Sequence, residues 1–477
     1  MSRVSFLLFV SLFGSLFLFS SCVKEPDSTP KNQIKTDVGD LVIPESFTWS
    51  AVTSADLTVT VVTSTGTPSD LLNGQPLDLL DGEENRIART IVFDGTAKFV
   101  VKVASTVTRL VVFSPVTQTS VSVLLTKNTV NFPAPANAAQ LFAAQPDADA
   151  DGIPDMWDEY PDDAELAFSY DFPARLNSTY QAGTRALEGT LRAAPDGSGY
   201  FFQIFEDLWP EQGDYDLNDL IMKSRVRFNL NAQGYVVSGS VRSQIWAVGA
   251  STAMPHGFGF EFLRRVDSKT LSYLKPLAVT LEKNPRNNLV TDVITHAKQD
   301  TEIGNGIIQF NDVLKVMNPY YNNVGGEWGV EGVPQSCYFE FKIKSTEKAK
   351  SLELLSYMYR TSDPQWAIRT FGTPPTENTN LDRFRIRDDF SASPAGWSWA
   401  PNASFSYPLT GEEAFYRTKA NLPWAVEFIS EEYLVPLEKT SILVAYPKFQ
   451  KWAESGGDEA KDWFTNPNTE FTVKVPK

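Results

Sequence analysis

Fifteen of the 58 acidic residues fall in two short windows that contain no base. Residues 145–165 (QPDADADGIPDMWDEYPDDAE) hold nine of them, and residues 206–219 (EDLWPEQGDYDLND) hold six. The other 43 acids stand against 42 Lys and Arg, so the rest of the chain is almost neutral. Carboxylates packed this closely repel one another, and any fold must either leave both windows in water or neutralise them locally. A generally self-repelling surface would spread its charge; two clusters point to bound cations. The net charge of −16 also argues against nucleic acid as a partner.

The first window has the spacing of a calcium loop. Asp147, Asp149, Asp151, Asp155 and Asp158 place oxygens at positions 1, 3, 5, 9 and 12, with Gly152 at position 6 and the Ile153 carbonyl at position 7. Calcium takes six to eight oxygens, and a tight turn lets alternate side chains converge on it while glycine accepts the sharp backbone angle. Position 12 is Asp in place of Glu, and Pro146 and Pro161 cut any flanking helices. The pattern D-x-D-x-D-G-I-P-D-x-x-D-x-x-P therefore resembles a thrombospondin type-3 repeat more than a helix–loop–helix hand, and in such repeats Asp162 or Asp163 helps to fill the shell. The alternative is a solvated acidic linker. Magnesium is disfavoured, because it keeps its waters and rarely uses so rich a protein cage.

In the second window Asp214, Asp216 and Asn218 alternate, which on an extended backbone aims all three to one side and Tyr215 and Leu217 to the core. Glu206, Asp207 and Asp219 lie close enough in sequence to complete a second calcium site. A hydrogen-bonded acidic turn and a catalytic carboxylate pair are the other readings. The stretch Phe205-Glu-Asp-Leu-Trp-Pro-Glu-Gln-Gly-Asp-Tyr-Asp-Leu-Asn-Asp219 resembles the signature of the LruC-domain family found on Bacteroidetes lipoproteins. Trp246-Ala-Val-Gly-Ala250, His256-Gly-Phe-Gly-Phe-Glu261, Tyr416–Ala425 and Glu438–Gly457 agree in order, so the likeness spans roughly 165–470. It departs at His256, where the family has Asn, and at Gln365–Thr376. The family brings no settled activity with it.

The N-terminus reads Met-Ser-Arg, then an apolar run from Val4 to Phe19, then Ser-Ser-Cys22. This is the layout of a secretory signal, too short to span a bilayer comfortably. Cys22 after Phe-Ser-Ser resembles a lipobox, which implies lipidation of that thiol and a stable membrane anchor. The expected location is the outer membrane, at the cell surface or on the periplasmic face. Cys337, in the strand-like Ser336–Phe341, then has no intrachain partner and reads as a buried apolar residue.

The fold expected is mainly β. Residues 1–21 are the signal peptide and 22–45 a flexible tether. Residues 46–130 form a small β-sandwich, read from strand-like runs at Leu57–Val62, Thr90–Phe93, Lys98–Val103, Arg109–Phe113 and Ser120–Leu125. Residues 131–146 are an Ala/Pro-rich linker and 147–163 the Asp-rich calcium loop. Residues 164–477 form a larger LruC-like β-sandwich or jelly-roll-like domain with a few peripheral helices. Its strands are expected at Met222–Leu230, Tyr235–Val241, Phe258–Leu263, Tyr338–Ile343 and Leu352–Tyr359. Ile442, Tyr446, Phe449 and Trp452 recur at helical spacing, with Gly456-Gly457 to close the helix and Pro447 against it.

No G-x-S-x-G elbow, phosphate-binding loop or H-E-x-x-H motif is present, and the two histidines, His256 and His296, sit in unremarkable contexts. The leading expectation is a non-enzymatic, calcium-binding, lipid-anchored envelope protein with an adhesion, glycan-binding or assembly role and a glycan or surface protein as partner. A calcium-stabilised carbohydrate-active hydrolase is the alternative, since glycosidase chemistry needs only two carboxylates. Trp397 and Trp399 read as loop packing or as a stacking surface for a sugar ring.

Overall fold

The computed structural model describes residues 35–82, 84, 86–136, 146–172, 199–209, 213–249, 256–265, 274–276, 279–281, 302–303, 307–310, 336–343, 352–370, 416, 421–430 and 432–473. The signal segment, Cys22, His296 and the Trp397/Trp399 pair lie outside the described residues.

Seven strands build the first sandwich: β1 (Val52–Val62), β2 (Pro76–Leu80), β3 (Arg86–Ile91), β4 (Thr96–Ala104), β5 (Arg109–Ser114), β6 (Thr119–Leu124) and β7 (Thr129–Pro133). Ala55, Leu57, Val59 and Val61 of β1, like Ala97, Phe99, Val101 and Val103 of β4, alternate inward, the two-residue period of a strand with one covered face. One sheet runs β4-β1-β7 and the other β3-β2-β5-β6, and their inner faces share a single apolar core. Each fully buried aliphatic or Phe side chain in it contributes roughly 1.5–3 kcal/mol.

Three boundaries differ from the sequence reading. The strand expected at Thr90–Phe93 is centred earlier, at 86–91. Strand β2 has no alternating pattern because it is covered on both faces; its buried Asp78 is held by a two-pronged contact from Arg89, at 2.6 and 2.8 Å. The expected linker begins as strand, since β7 pairs parallel to β1 and buries Phe132. Pro133 is tolerated there because β7 is an edge strand and needs no donor on its open side.

The second body contains β8 (Phe168–Phe172), β9 (Tyr200–Phe205), β10 (Leu220–Leu230), β11 (Val236–Ala247), β12 (His256–Arg265), β13 (Leu274–Pro276), β14 (Val279–Leu281), β15 (Glu302–Ile303), β16 (Ile307–Phe310), β17 (Ser336–Ile343), β18 (Leu352–Arg360), β19 (Asp363–Ile368) and β20 (Ala425–Ser430). One sheet runs β15-β14-β17-β11-β10-β9-β20, with β8 beside the second half of β10; the other runs β13-β12-β18-β19, with β16 on β12. Phe258, Phe260 and Phe262 alternate from β12 into the space between the sheets and meet Phe339 and Phe341 of β17, with Phe262 and Phe341 at 4.6 Å. On the opposite face Gly257 and Gly259 stand across from Tyr359 and Tyr357 of β18. A methyl group at either glycine would overlap the facing tyrosine ring, which explains the H-G-F-G-F alternation. Cys337 lies in β17 opposite Ser243.

The one-face-buried reading of Met222–Leu230 holds only for its second half. Toward its start β10 is covered on both sides, and Lys223 is buried with its ammonium 4.0 Å from the Tyr200 ring and 4.2 Å from the Trp246 ring. The expected C-terminal helix is two helices, α1 (Ile442–Ala445) and α2 (Lys448–Glu454), because Pro447 cannot donate to the helical ladder. Ile442, Leu443 and Ala445 of α1 and Phe449, Trp452 and Ala453 of α2 are buried, and Gly456 and Gly457, at φ +65° and +85°, end α2 as expected.

The expected flexible tether is bound from Lys35 onward. Lys35 donates its N–H to Gln450 Oε1 and its ammonium to Glu454 Oε1 at 2.6 Å, and Val38, Leu41, Phe47 and Trp49 are buried. Trp49 stacks on Phe449 and donates Nε1–H to the Asn421 carbonyl at 2.6 Å. The polar composition of the segment conceals these few apolar contacts. Trp49→Ala removes a filled aromatic site and is expected to cost about 3–5 kcal/mol in denaturant unfolding, with new proteolytic cleavage between residues 35 and 51; an unchanged midpoint would show that the segment is not part of the cooperative fold.

Candidate metal centres

The first acidic window closes into a tight loop. The Asp155 N–H donates to the Pro146 carbonyl at 2.9 Å, and Asp155 Oδ1 accepts from the Ala148 N–H at 2.7 Å. Gly152 at φ +97° and Ala150 at φ +63° turn the backbone so that the Asp147, Asp149 and Asp151 carboxylates come together, one oxygen of each within 4.8 Å of the others. One oxygen of each accepts a backbone N–H: Asp149 from Asp151, Asp147 from Gly152, and Asp151 from Ile153. Buried Oδ2 atoms of Asp149, Asp151 and Asp158 have no hydrogen-bond partner in the protein. Burial, then the charges of Asp151 and Asp149, push the Asp158 carboxyl up to about 7. Burial also raises Asp151, against the Ile153 N–H that it accepts.

The Ile153 side chain anchors this loop among Ile91, Ala167, Phe168 and Ala232. Glu159 extends the anchorage, accepting from Arg86 at 2.9 Å and from Ser169. Asp155 acts in the structure as a backbone brace. Asp162 is exposed and outside the converging set.

The second window joins β9 to β10 and folds over the end of their sheet. The Glu206 N–H is pinned to the Trp424 carbonyl, the Asp207 N–H to Asp219 Oδ2 at 2.7 Å, and the Tyr215 carbonyl to the Ile442 N–H. Tyr215 and Leu217 face the core as expected, but the backbone is not extended: both sit at φ +53°. Two left-handed residues curl the chain, so Asp214, Asp216 and Asn218 do not lie in line. Asp214 stays exposed, while Asp216 and Asn218 are buried. Such conformations cost of order 1–3 kcal/mol each in residues with a side chain, and persist where the surroundings hold them.

Carboxylate oxygens of Glu206, Asp214 and Asp216 lie within 4.8 Å of one another, as do those of Glu206, Asp207 and Asp219. Glu206 is only 1% exposed, and its Oε2 has no hydrogen-bond partner. Gly213 packs directly against the Glu206 carboxylate, where a Cβ would collide with it. Burial is the first cause that raises the carboxyls of Glu206, Asp216 and Asp219 well above their ordinary range, and the neighbouring acids add to it. Asp207 is pushed up to about 6 by burial, with Arg360 opposing.

Sequence reasoning missed two contributors. Glu438 comes from a segment more than two hundred residues away; the neighbouring Lys439 N–H donates to Asp216 Oδ2 at 2.8 Å. The Glu438 carboxyl is pushed up to about 7 by burial and by Asp214 and Asp207, and its buried Oε2 has no hydrogen-bond partner. Gly249 makes room for it, since a Cβ there would meet both Glu438 Oε2 and Asn218 Oδ1. Asn218 donates its amide to the Pro436 carbonyl at 3.0 Å. The second contributor is His256, fully buried at the start of β12 with Nε2 3.7 Å from Asp207 Oδ2. Burial and then Arg360 lower it to about 3, so it is neutral. The only available signal was the ordered recurrence of the segments around 249, 256 and 438 in the motif resemblance.

The donor set fits a hard cation. It is almost all oxygen, it mixes carboxylates with an amide, and it leaves buried oxygens that the protein does not satisfy. Residues 234–464, just under half of the chain, match a family model described as Domain of unknown function (DUF4842). That span contains Gly249, His256 and Glu438 and starts after both acidic windows. The curated proteins include no match. Among solved structures, a candidate lipoprotein from Bacteroides ovatus is similar at 13% identity and a TM-score of 0.42, over 84% of this chain and 99% of that one.

Groups whose pKa is raised in the folded state bind protons more tightly than they do unfolded, so their contribution is complete below about pH 4 and is lost as the pH rises through the folded values. With divalent ions stripped, thermal stability is expected to fall from pH 5 to pH 8, through the values near 6 and 7 of Asp207, Asp158 and Glu438. The lowered His256 works the other way up to about pH 6.5, but is outnumbered by the raised carboxyls, Glu206, Asp216 and Asp219 among them. Saturating calcium should flatten or reverse that slope. A metal-free protein that gains stability over this interval would contradict the assignment.

Proposed function

We propose that this chain is a calcium-stabilised, lipid-anchored protein of the bacterial cell envelope, non-catalytic, whose metal centres fix the surface it presents for adhesion, glycan binding or assembly. The observation that carries this reading is Glu206: a carboxylate removed from water, with an unsatisfied oxygen, amid Asp207, Asp216 and Asp219. At an effective dielectric near 20, each pair of charges about 4–5 Å apart repels by roughly 3–4 kcal/mol. Divalent ions remove that repulsion. The same acids hold backbone N–H groups of residues 207, 218 and 439, a bracing role that suits a structural centre better than a reacting one.

The LruC-like reading of residues 205–220 and the thrombospondin type-3-like reading of 147–163 support calcium as the ion. The Ser-Ser-Cys22 motif supports the anchor and a surface or periplasmic location. Among the described residues no helix is long and apolar enough to cross a membrane.

Melting in excess calcium and in chelator tests the first half. For calcium at a thousand times Kd the expected gain is about 4 kcal/mol, and indifference to chelator would reject the reading. Asp149→Asn with Asp151→Asn should remove part of the gain. For the anchor, Cys22→Ala is expected to move the protein from the membrane to the soluble fraction and to abolish acylation detected by mass spectrometry of the N-terminal peptide.

A further inference from the structure

We propose that the centre between β9 and β10 holds two calcium ions, with Glu206 bridging them. This rests on the calcium reading above and extends it to the number and arrangement of ions. Oxygens around one calcium lie about 2.3–2.6 Å from it, so no two of them are much more than about 5 Å apart. The hairpin acids meet that condition as two separate triangles, Glu206/Asp214/Asp216 and Glu206/Asp207/Asp219. Among the described residues, no group within 4.8 Å joins Asp207 or Asp219 to Asp214 or Asp216. The five carboxylates thus fall into two tight sets that share Glu206, the arrangement that suits two ions on either side of it.

Glu206 has the features of a shared ligand. It is the one member common to both triangles, it is 1% exposed, and its Oε2 has no partner within the protein. Its backbone is fixed to Trp424, and Gly213 leaves the space its carboxylate fills. The charge count agrees. Six carboxylates converge here when Glu438 is included, with Arg360 acting on the Asp207 side. A single divalent ion would leave most of that charge uncompensated around the buried Glu206, whereas a pair offsets the greater part of it. Carboxylate-bridged pairs of divalent ions about 3.5–4 Å apart are a known arrangement.

The test uses the full chain carrying Asp149→Asn and Asp151→Asn, which silences the Asp-rich loop. After equilibrium dialysis against calcium, the bound metal per chain is measured by mass spectrometry of the elements. Two ions are expected. One ion would overturn the pair and leave the calcium reading standing; none would overturn both. In the same background Asp216→Asn and Asp219→Asn should each cost one ion, and Glu206→Gln should cost both. Loss of a single ion with Glu206→Gln would also overturn the bridge. Melting in chelator guards against misfolding, because Glu206→Gln removes a buried titratable carboxyl from among other acids and should melt at or above the parent temperature there.

Discussion

The burial of Glu206 beside Asp207, Asp216 and Asp219 is the constraint around which the rest of the larger body is arranged. Four carboxylates enclosed by β9, β10 and the approach to β20 either take up protons or share cations, and the Glu206 oxygen without a partner in the protein is where the proposed ions would bind. Neighbouring segments make specific contacts with this cluster. Gly213 and Gly249 clear space for Glu206 and Glu438, the Lys439 N–H caps Asp216, and the Asp207 N–H caps Asp219. The centre therefore links the β9–β10 loop to residues 436–442, and through Tyr215 and Ile442 to the aromatic core beneath α1.

That core in turn holds the start of the described chain. Trp49 and Phe47 pack on Phe449 and Trp452, and Lys35 closes on Glu454. The first sandwich is thus flanked at one end by residues 35–51 on the C-terminal helices, and at the other by the Asp-rich loop, whose Ile153 shares a small core with Ile91 and Phe168. Loops rich in carboxylate have few apolar contacts to hold them. Here each loop has one or two deeply buried anchors (Ile153 in the first, Tyr215 and Leu217 in the second), and the proposed ions would take its charged side.

Much of this was legible in the sequence where periodicity is strict. Strands β1, β4, β5, β10, β12 and β18 show two-residue alternation or clean apolar runs, and the Asp147–Asp151 spacing with Gly152 anticipates the observed turn. What was not legible has physical reasons. Strand β2 hides a buried Asp78 whose partner Arg89 is set by the fold, β7 ends in a proline, and Pro447 divides one helical pattern into two helices. Glu438 and His256 reach the centre through tertiary contacts between segments far apart in the chain, and no local spacing encodes that. Tyr215 and Leu217 face the core, as alternation predicts. The cause is left-handed backbone and not an extended chain, and at two residues with side chains neither glycine nor asparagine signals it.

The most direct test of the central claim is anomalous diffraction from crystals grown with calcium. The account predicts anomalous peaks beside Glu206, within coordination distance of its carboxylate, and a further peak among Asp147, Asp149 and Asp151. Crystals from calcium-rich solution that show these side chains bonded only to water or to one another, with no anomalous signal, would contradict it.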